Sequence, residues 1–152
     1  MARNQNLSPT ILNKQARRNY EIVKTFEAGI ELRGSEVKSI RQGSVNLKES
    51  YIRIKSGEAF LIGCHISPYT HSRADAHDVT RERKLLLKKR EIERLDVDVR
   101  KSGLSLVPLK LYFNKDGRCK LELALGKGKK LFDKREDVKK KETQRQIERA
   151  LR

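Results

Sequence analysis

The chain has 152 residues, enough for one domain with a real core plus extensions but not for two. Its 36 Lys and Arg against 20 Asp and Glu give a formal charge of +16, so strong, steeply salt-dependent attraction to phosphate-rich partners is expected. There is no apolar run long enough to cross a bilayer, no helix with an insertion face, no lipidation motif and no signal peptide. These features argue against a membrane role and predict a cytoplasmic protein, expected to be a monomer.

Residues 1–19 form a basic N-terminal extension with four cations and no acid. From Tyr20 the apolar residues alternate. Tyr20, Ile22, Phe26, Ala28, Ile30 and Leu32 share a face, with Lys24 the exception, which predicts a long strand with a bulge or bend at Gly29. Gly34-Ser35 offers a helix start and Gly43 a stop, so a two-turn helix is expected between them. Val45–Glu49 running into Tyr51–Lys55, then Glu58–Ile66, read as strands, with Ser56-Gly57 as a tight hairpin turn. Residues 67–83 (SPYTHSRADAHDVTRER) lack periodicity and are expected to be an exposed polar loop.

After the apolar patch Leu85-Leu86-Leu87, a helix is predicted over Lys88–Lys101, with Ile92, Leu95 and Val99 as its buried stripe and Ser102-Gly103 as its stop. Leu104–Phe113 and Arg118–Leu125 flank Asn114-Lys115-Asp116-Gly117 as a hairpin. Leu109, Leu111 and Phe113 are expected to face inward on one strand, and Cys119, Leu121, Leu123 and Leu125 on the other. Pro108 marks a strand start or bulge. The fold class is therefore all-β with flanking helices. A six-stranded antiparallel OB-type barrel over residues 20–125 is preferred to a split sheet layer with helices on one face.

Residues 126–152 form a basic tail with eleven Lys or Arg against five acids. Asp133 with Glu136 could cap a helix, but Val138 is the lone apolar residue between them and Ile147. With so little to bury, the tail is expected to be disordered when free and helical in an RNA-lined groove. Phe132 either folds back on the barrel or stacks on a base.

Catalytic signatures are missing. The run Gly126-Lys127-Gly128-Lys129-Lys130 lacks the spacing and hydroxyl of a phosphate loop, and no nucleophile, base or metal set is arranged. His65, His71 and His77, with Asp75 and Asp78, lack the close spacing of zinc ligands, so a solvated loop near RNA is preferred and no metal or cofactor is expected. Cys64 and Cys119 read as buried free thiols. The few aromatics fit core positions, so recognition of a folded RNA through its backbone is favoured over base stacking.

In order along the chain, "NKQARRNY" (13–20), "FEAGIELRGSEVKSIRQGSVNLKESY" (26–51), "HISPY" (65–69), "RERKLLL" (81–87), "LVPLKLYF" (106–113) and "LALGKGKKLFDKR" (123–135) closely resemble the SsrA-binding protein (small protein B) family. The resemblance implies an OB-type barrel that binds the tRNA-like domain of transfer-messenger RNA. It also implies delivery of that RNA to stalled ribosomes, where the barrel stands in for the missing anticodon half of a tRNA. The basic tail would enter the vacant message channel near the decoding centre and contact small-subunit RNA. It would not be an enzyme. A generic ribosome-associated or single-strand RNA-binding OB protein remains the alternative.

On the same resemblance, Glu27 of "EAG" matches a residue needed for RNA binding, as an acceptor of hydrogen bonds from base or sugar. Leu86 matches a second contact. Lys88 stands where some members carry Asn and would meet phosphate, and Val79 replaces a proline common in the family. The expected RNA-binding set is Asn13, Lys14, Arg17, Glu27, Lys38, Arg41, Lys84, Leu86, Lys88 and Lys89. The expected ribosome-engaging set is Lys127, Lys129, Lys130, Phe132, Asp133, Lys134 and Arg135, the "DKR" element acting after delivery.

Overall fold

A computed structural model describes residues 8–69, 77–129 and 131–151, with the backbone alone over 131–138. Among them, nine strands and four helices follow in the order β1 (Ile11–Leu12), α1 (Lys14–Asn19), β2 (Tyr20–Ile30), α2 (Gly34–Arg41), β3 (Val45–Asn46), β4 (Tyr51–Lys55), β5 (Glu58–Ile62), β6 (His65–Ile66), β7 (Arg83–Leu86), α3 (Lys89–Ser102), β8 (Ser105–Phe113), β9 (Cys119–Gly128) and α4 (Leu131–Ala150). Seven strands make one antiparallel sheet in the order β1-β8-β9-β2-β7-β5-β4, and β3 pairs with β6 separately. The sheet curls until β4 packs against β8 without a ladder between them, the partly open barrel expected of the OB type.

The expected count of six strands is exceeded for local reasons. Glu49 adopts φ 64° and Gly63 φ 79°, so the two continuous strands read at 45–55 and 58–66 each break at a bend. The bends interlock, because a Cβ on Gly63 would stand 3.3 Å from the Glu49 carbonyl oxygen. At Ser56-Gly57 both residues have positive φ, as a two-residue hairpin requires, and Lys55 pairs with Glu58. The third surprise is β7, which emerges from what reads as loop and apolar patch and pairs with both β2 and β5.

The alternation in β2 conceals a change of face. Ile22 pairs with Gly126 and Lys24 with Leu125, so Val23 is an extra residue in the ladder, and the bulge lies there rather than at Gly29. Phe26, Ala28 and Ile30 point into the barrel with Leu111, Leu121, Leu123 and Leu125, whereas Tyr20 and Ile22 sit on the outside against Ala16 of α1. A matching irregularity between Pro108 and Lys110 turns Leu109 outward, into the cluster of Ala16, Val107 and Ala124. Leu109 therefore does not share the barrel interior with Leu111, contrary to strict alternation. The bulges are what give α1 an apolar seat on the outer face.

The remaining elements follow their sequence signals. α2 is the two-turn helix expected, capped by the Glu36 carboxylate accepting from the Arg33 N–H at 2.8 Å. α3 buries Ile92 and Leu95, packs Val99 against the core, and ends at Gly103 with φ 62°. In the β8–β9 turn, Asn114 Oδ1 accepts from the N–H groups of Asp116 (3.1 Å) and Arg118 (2.9 Å), and Gly117 has φ 77°. Cys64 and Cys119 are free thiols, and burial pushes them up to about 11 and about 12, so both stay protonated at neutral pH.

Candidate nucleic-acid interface

On the outer face of β2, β9 and β8, register alone aligns a row of charged residues. Glu27 pairs with Glu122, and Glu122 pairs with Lys110. The next row runs through Gly29, Lys120 and Tyr112, and extends across β2 to Leu86 of β7. These two rows begin where the apolar seat of α1 ends. Arg17 of α1 leans over them and reaches Glu122 at 3.9 Å, while Lys110 holds the other Glu122 oxygen at 3.3 Å.

The Tyr112 hydroxyl donates to the Glu27 carboxylate, and the Lys110 ammonium lies 5.2 Å from the centre of the Tyr112 ring. Tyr112 keeps its proton well above neutral pH, because burial and then the hydrogen bond and negative charge of Glu27 all disfavour the phenolate. Glu27 is thus an exposed acceptor with one lone pair fixed by a phenol and the rest turned to solvent.

Leu86 is 51% exposed, an unusual state for Leu in mid-sheet. Gly29 makes room for it: a Cβ there would stand 3.2 Å from Leu86 Cβ and 3.3 Å from its Cδ1. Lys84, two residues back on β7, pairs with Glu58 at 3.2 Å. Lys88 and Lys89 are exposed at the start of α3, just past Leu86, with the Lys88 N–H capped by Glu91 at 3.2 Å.

Some expected contacts lie elsewhere. Asn13 is buried and caps α1: its Oδ1 accepts from the Ala16 N–H (3.2 Å) and its Nδ2 donates to Leu47 O (3.3 Å) and Pro108 O (2.9 Å). Its amide holds α1 to the barrel and is not presented to a ligand. Lys14 is exposed on α1. Arg41 stacks 4.4 Å from the Phe113 ring centre and donates to Ser8 Oγ (2.9 Å) and Gly117 O (3.4 Å), and Lys38 lies 5.4 Å from the Tyr69 ring centre. These two cations of α2 are anchored by the end of the β8–β9 hairpin and by Tyr69, not by the Glu27 rows. Lys127 pairs with Glu21, one position before the β2–β9 ladder ends at Tyr20 and Gly128, and the Lys129 N–H donates to Asn19 O at 2.9 Å. Lys130 lies outside the described residues, as do the side chains of Phe132, Asp133, Lys134 and Arg135 within α4.

The segment 67–83 is not simply an exposed loop. His77 is buried: its Nε2–H donates to the Ile66 carbonyl at 3.0 Å, which leaves Nδ1 to accept from Ser35 Oγ at 2.8 Å. Both ring nitrogens are committed, so His77 cannot ligate a metal. His71 and Asp75 lie outside the described residues, among which no cluster of His, Cys, Asp and Glu could hold an ion.

Arg83 and Glu36 are fully buried and paired at 2.6 Å, Arg81 meets the other Glu36 oxygen, and Arg83 also donates to the Cys64 carbonyl at 2.8 Å. Burial alone would raise the Glu36 carboxyl. Hydrogen bonds from Arg81, the Arg33 N–H and Arg83, with the Arg83 charge, outweigh it and hold the group below its ordinary value.

Periodicity did not reveal this ionic core, nor Tyr112, Lys120 and Lys110 around Glu27. The alternation of β8 and β9 could have placed the last three on the outer face, but only the register brings them beside β2.

Among the described residues, no helix is long and apolar enough to cross a membrane. Curated relatives named SsrA-binding protein include one from Symbiobacterium thermophilum, 51% identical over 96% of this chain and 92% of its own length. Another, from Syntrophobacter fumaroxidans, is 56% identical over 90% of this chain and 84% of its own length. The fold is similar to a chain of the solved structure described as "tmRNA-SmpB: a journey to the center of the bacterial ribosome". That chain has a TM-score of 0.69 and 47% identity, over 82% of this chain and 87% of its own. With the SmpB protein family model matching residues 10–152, as well as the long alignments to SsrA-binding proteins, the chain belongs to the SmpB family.

Proposed function

We propose that this protein binds the tRNA-like domain of transfer-messenger RNA and carries that RNA to stalled ribosomes for trans-translation. Relatives that share half of its residues are named for binding SsrA RNA, and the similar solved chain is described with transfer-messenger RNA and the bacterial ribosome. It acts in the cytoplasm, as a binding protein and not as an enzyme.

The observation that carries the RNA-binding reading is the exposed Glu27–Tyr112 pair on a sheet face otherwise bordered by cations and by the uncovered Leu86. Phosphates bring the RNA to the lysines and Arg17 from any direction, which supplies affinity without selection. The Glu27 carboxylate accepts from N–H or 2′-OH donors and repels phosphate, so RNA binds tightly only where its shape puts donors there. Leu86 adds an apolar contact that must be dry to be favourable. The basic tail, beyond the barrel, engages the ribosome.

The test is binding to the isolated tRNA-like domain, competed with bulk tRNA at two salt concentrations. Glu27→Ala should weaken binding about tenfold although it raises the net positive charge. Tighter binding in this variant, in line with its charge, would mean that the protein binds RNA generically.

A further inference from the structure

A cleft of about 450 Å³ lies between α1 and the middle of α4. Arg17 and Arg18 from the last turn of α1 line it, with Lys129 after β9 and with Lys140, Lys141, Glu142 and Arg145 of α4. Among the described residues, Arg17, Arg18, Lys140, Lys141 and Arg145 therefore set five cations, with Lys129 beside them, against the single carboxylate of Glu142 around one small volume. Arg17 also leans toward Glu122, but at 3.9 Å on a side chain more than half exposed, and Lys110 shares that carboxylate. Such a contact neutralises little.

Among the described residues of α4, nothing apolar compensates for the repulsion. Residues 139–150 of α4 are exposed, and Ile147 is half exposed. The start of the tail is nevertheless tied to the end of α1 by the Lys129 N–H bond to Asn19 O, at 2.9 Å. A helix held close at one end, whose residues 139–150 bury nothing and set like charges across the gap, frays and swings away unless an anion fills the gap.

We infer that this cleft is a binding site for closely spaced phosphates, and that an anion seated in it latches α4 onto α1. A lone phosphate leaves most of the excess charge in place, whereas two or more adjacent phosphates span both helices. The shared chemistry is a run of phosphates, supplied either by an RNA backbone or by free polyphosphate. The site goes beyond the Glu27 face, and it makes the direction of the tail a consequence of anion binding.

Amide exchange across residues 139–150 of the full-length protein, at fixed ionic strength, tests the latch. The probes are inorganic tripolyphosphate and an eight-nucleotide single-stranded RNA, with sodium chloride as control. Exchange should slow about tenfold with a phosphate probe and not with chloride. Response to the RNA alone assigns the source to nucleic acid, and response to tripolyphosphate assigns it to free polyphosphate.

The double variant K141E/R145E places carboxylates opposite Arg17 and Arg18, so its exchange should be slow without any ligand and insensitive to both probes. Arg18→Glu leaves the α4 sequence untouched and should lose the response to phosphate. Exchange indifferent to both probes in the wild type, or K141E/R145E responding as the wild type does, would overturn the proposal. Failure of the Glu27→Ala test would leave this result unaffected, because the readout is order in α4 and not affinity for folded RNA.

Discussion

Glu27 is an exposed acid in a chain of formal charge +16, and its surroundings show how it can select rather than repel. The Tyr112 hydroxyl fixes one carboxylate oxygen, while register holds Glu122 beside Glu27, its charge offset mainly by Lys110 at 3.3 Å. A carboxylate so held loses less rotamer freedom when it accepts from RNA, and this makes Tyr112 a positioning residue. Tyr112→Phe keeps the ring over Lys110 and removes only the donor. It should weaken binding to the tRNA-like domain about fivefold, or ~1 kcal/mol, with the thermal midpoint unchanged. In the Glu27→Ala background the same change should add almost nothing, because each variant removes the same interaction. Additive losses would show that Tyr112 acts alone.

At the scale of elements, a buried ionic cluster joins α2 to β7 and to the chain before it. Glu36 stands on α2, Arg83 on β7, and Arg81 just ahead of that strand, while His77 bridges Ser35 of α2 to Ile66 of β6. This packing holds β7, and so Leu86, in place beside Gly29. Glu36→Ala would leave Arg83 charged in the core without its carboxylate and should cost about 3–5 kcal/mol in urea unfolding. The pH dependence follows from the lowered Glu36 value. A carboxyl depressed by folding contributes stability that is fully present above its ordinary value of 4.5 and is lost as pH falls through the lower folded value. Between neutrality and pH 5 the contribution should be flat, and below that it should decline in the wild type but not in Glu36→Ala. Parallel curves for the two proteins would contradict this.

For the molecule as a whole, the proposed function divides the work between the barrel and the tail. The barrel has a core, two bulges that seat α1, and an outer face that register equips with Glu27, Lys120, Tyr112 and Leu86. The α4 helix has twenty residues and an exposed surface over 139–150. Removing residues 133–152 takes away eight cations and five acids. Affinity for the tRNA-like domain should fall only slightly, with a shallower salt slope, while peptide tagging on stalled ribosomes is abolished. Tagging that survives the truncation would contradict the division.

Much of this was legible in advance, because the signals are local. The β8–β9 hairpin, α2 and α3 are specified by turn residues, caps and a 3.6-residue stripe within their own segments, and the charge of the tail is a matter of composition. The resemblance of the motifs pointed to Glu27 and Leu86. What sequence by itself determined is therefore the kind of element, the all-β class and the cationic character.

Tertiary structure alone decided which residues meet. One extra residue at Val23 and the irregularity beside Pro108 reverse the face of everything before or after them, and period-two patterns carry no mark of such a shift. In the same way Arg83 reads as one more basic residue in a polar run until β7 pairs with β5 and draws it onto Glu36. Ion pairs and patches built across strands depend on long-range register, and register is settled by packing and not by neighbours in the chain.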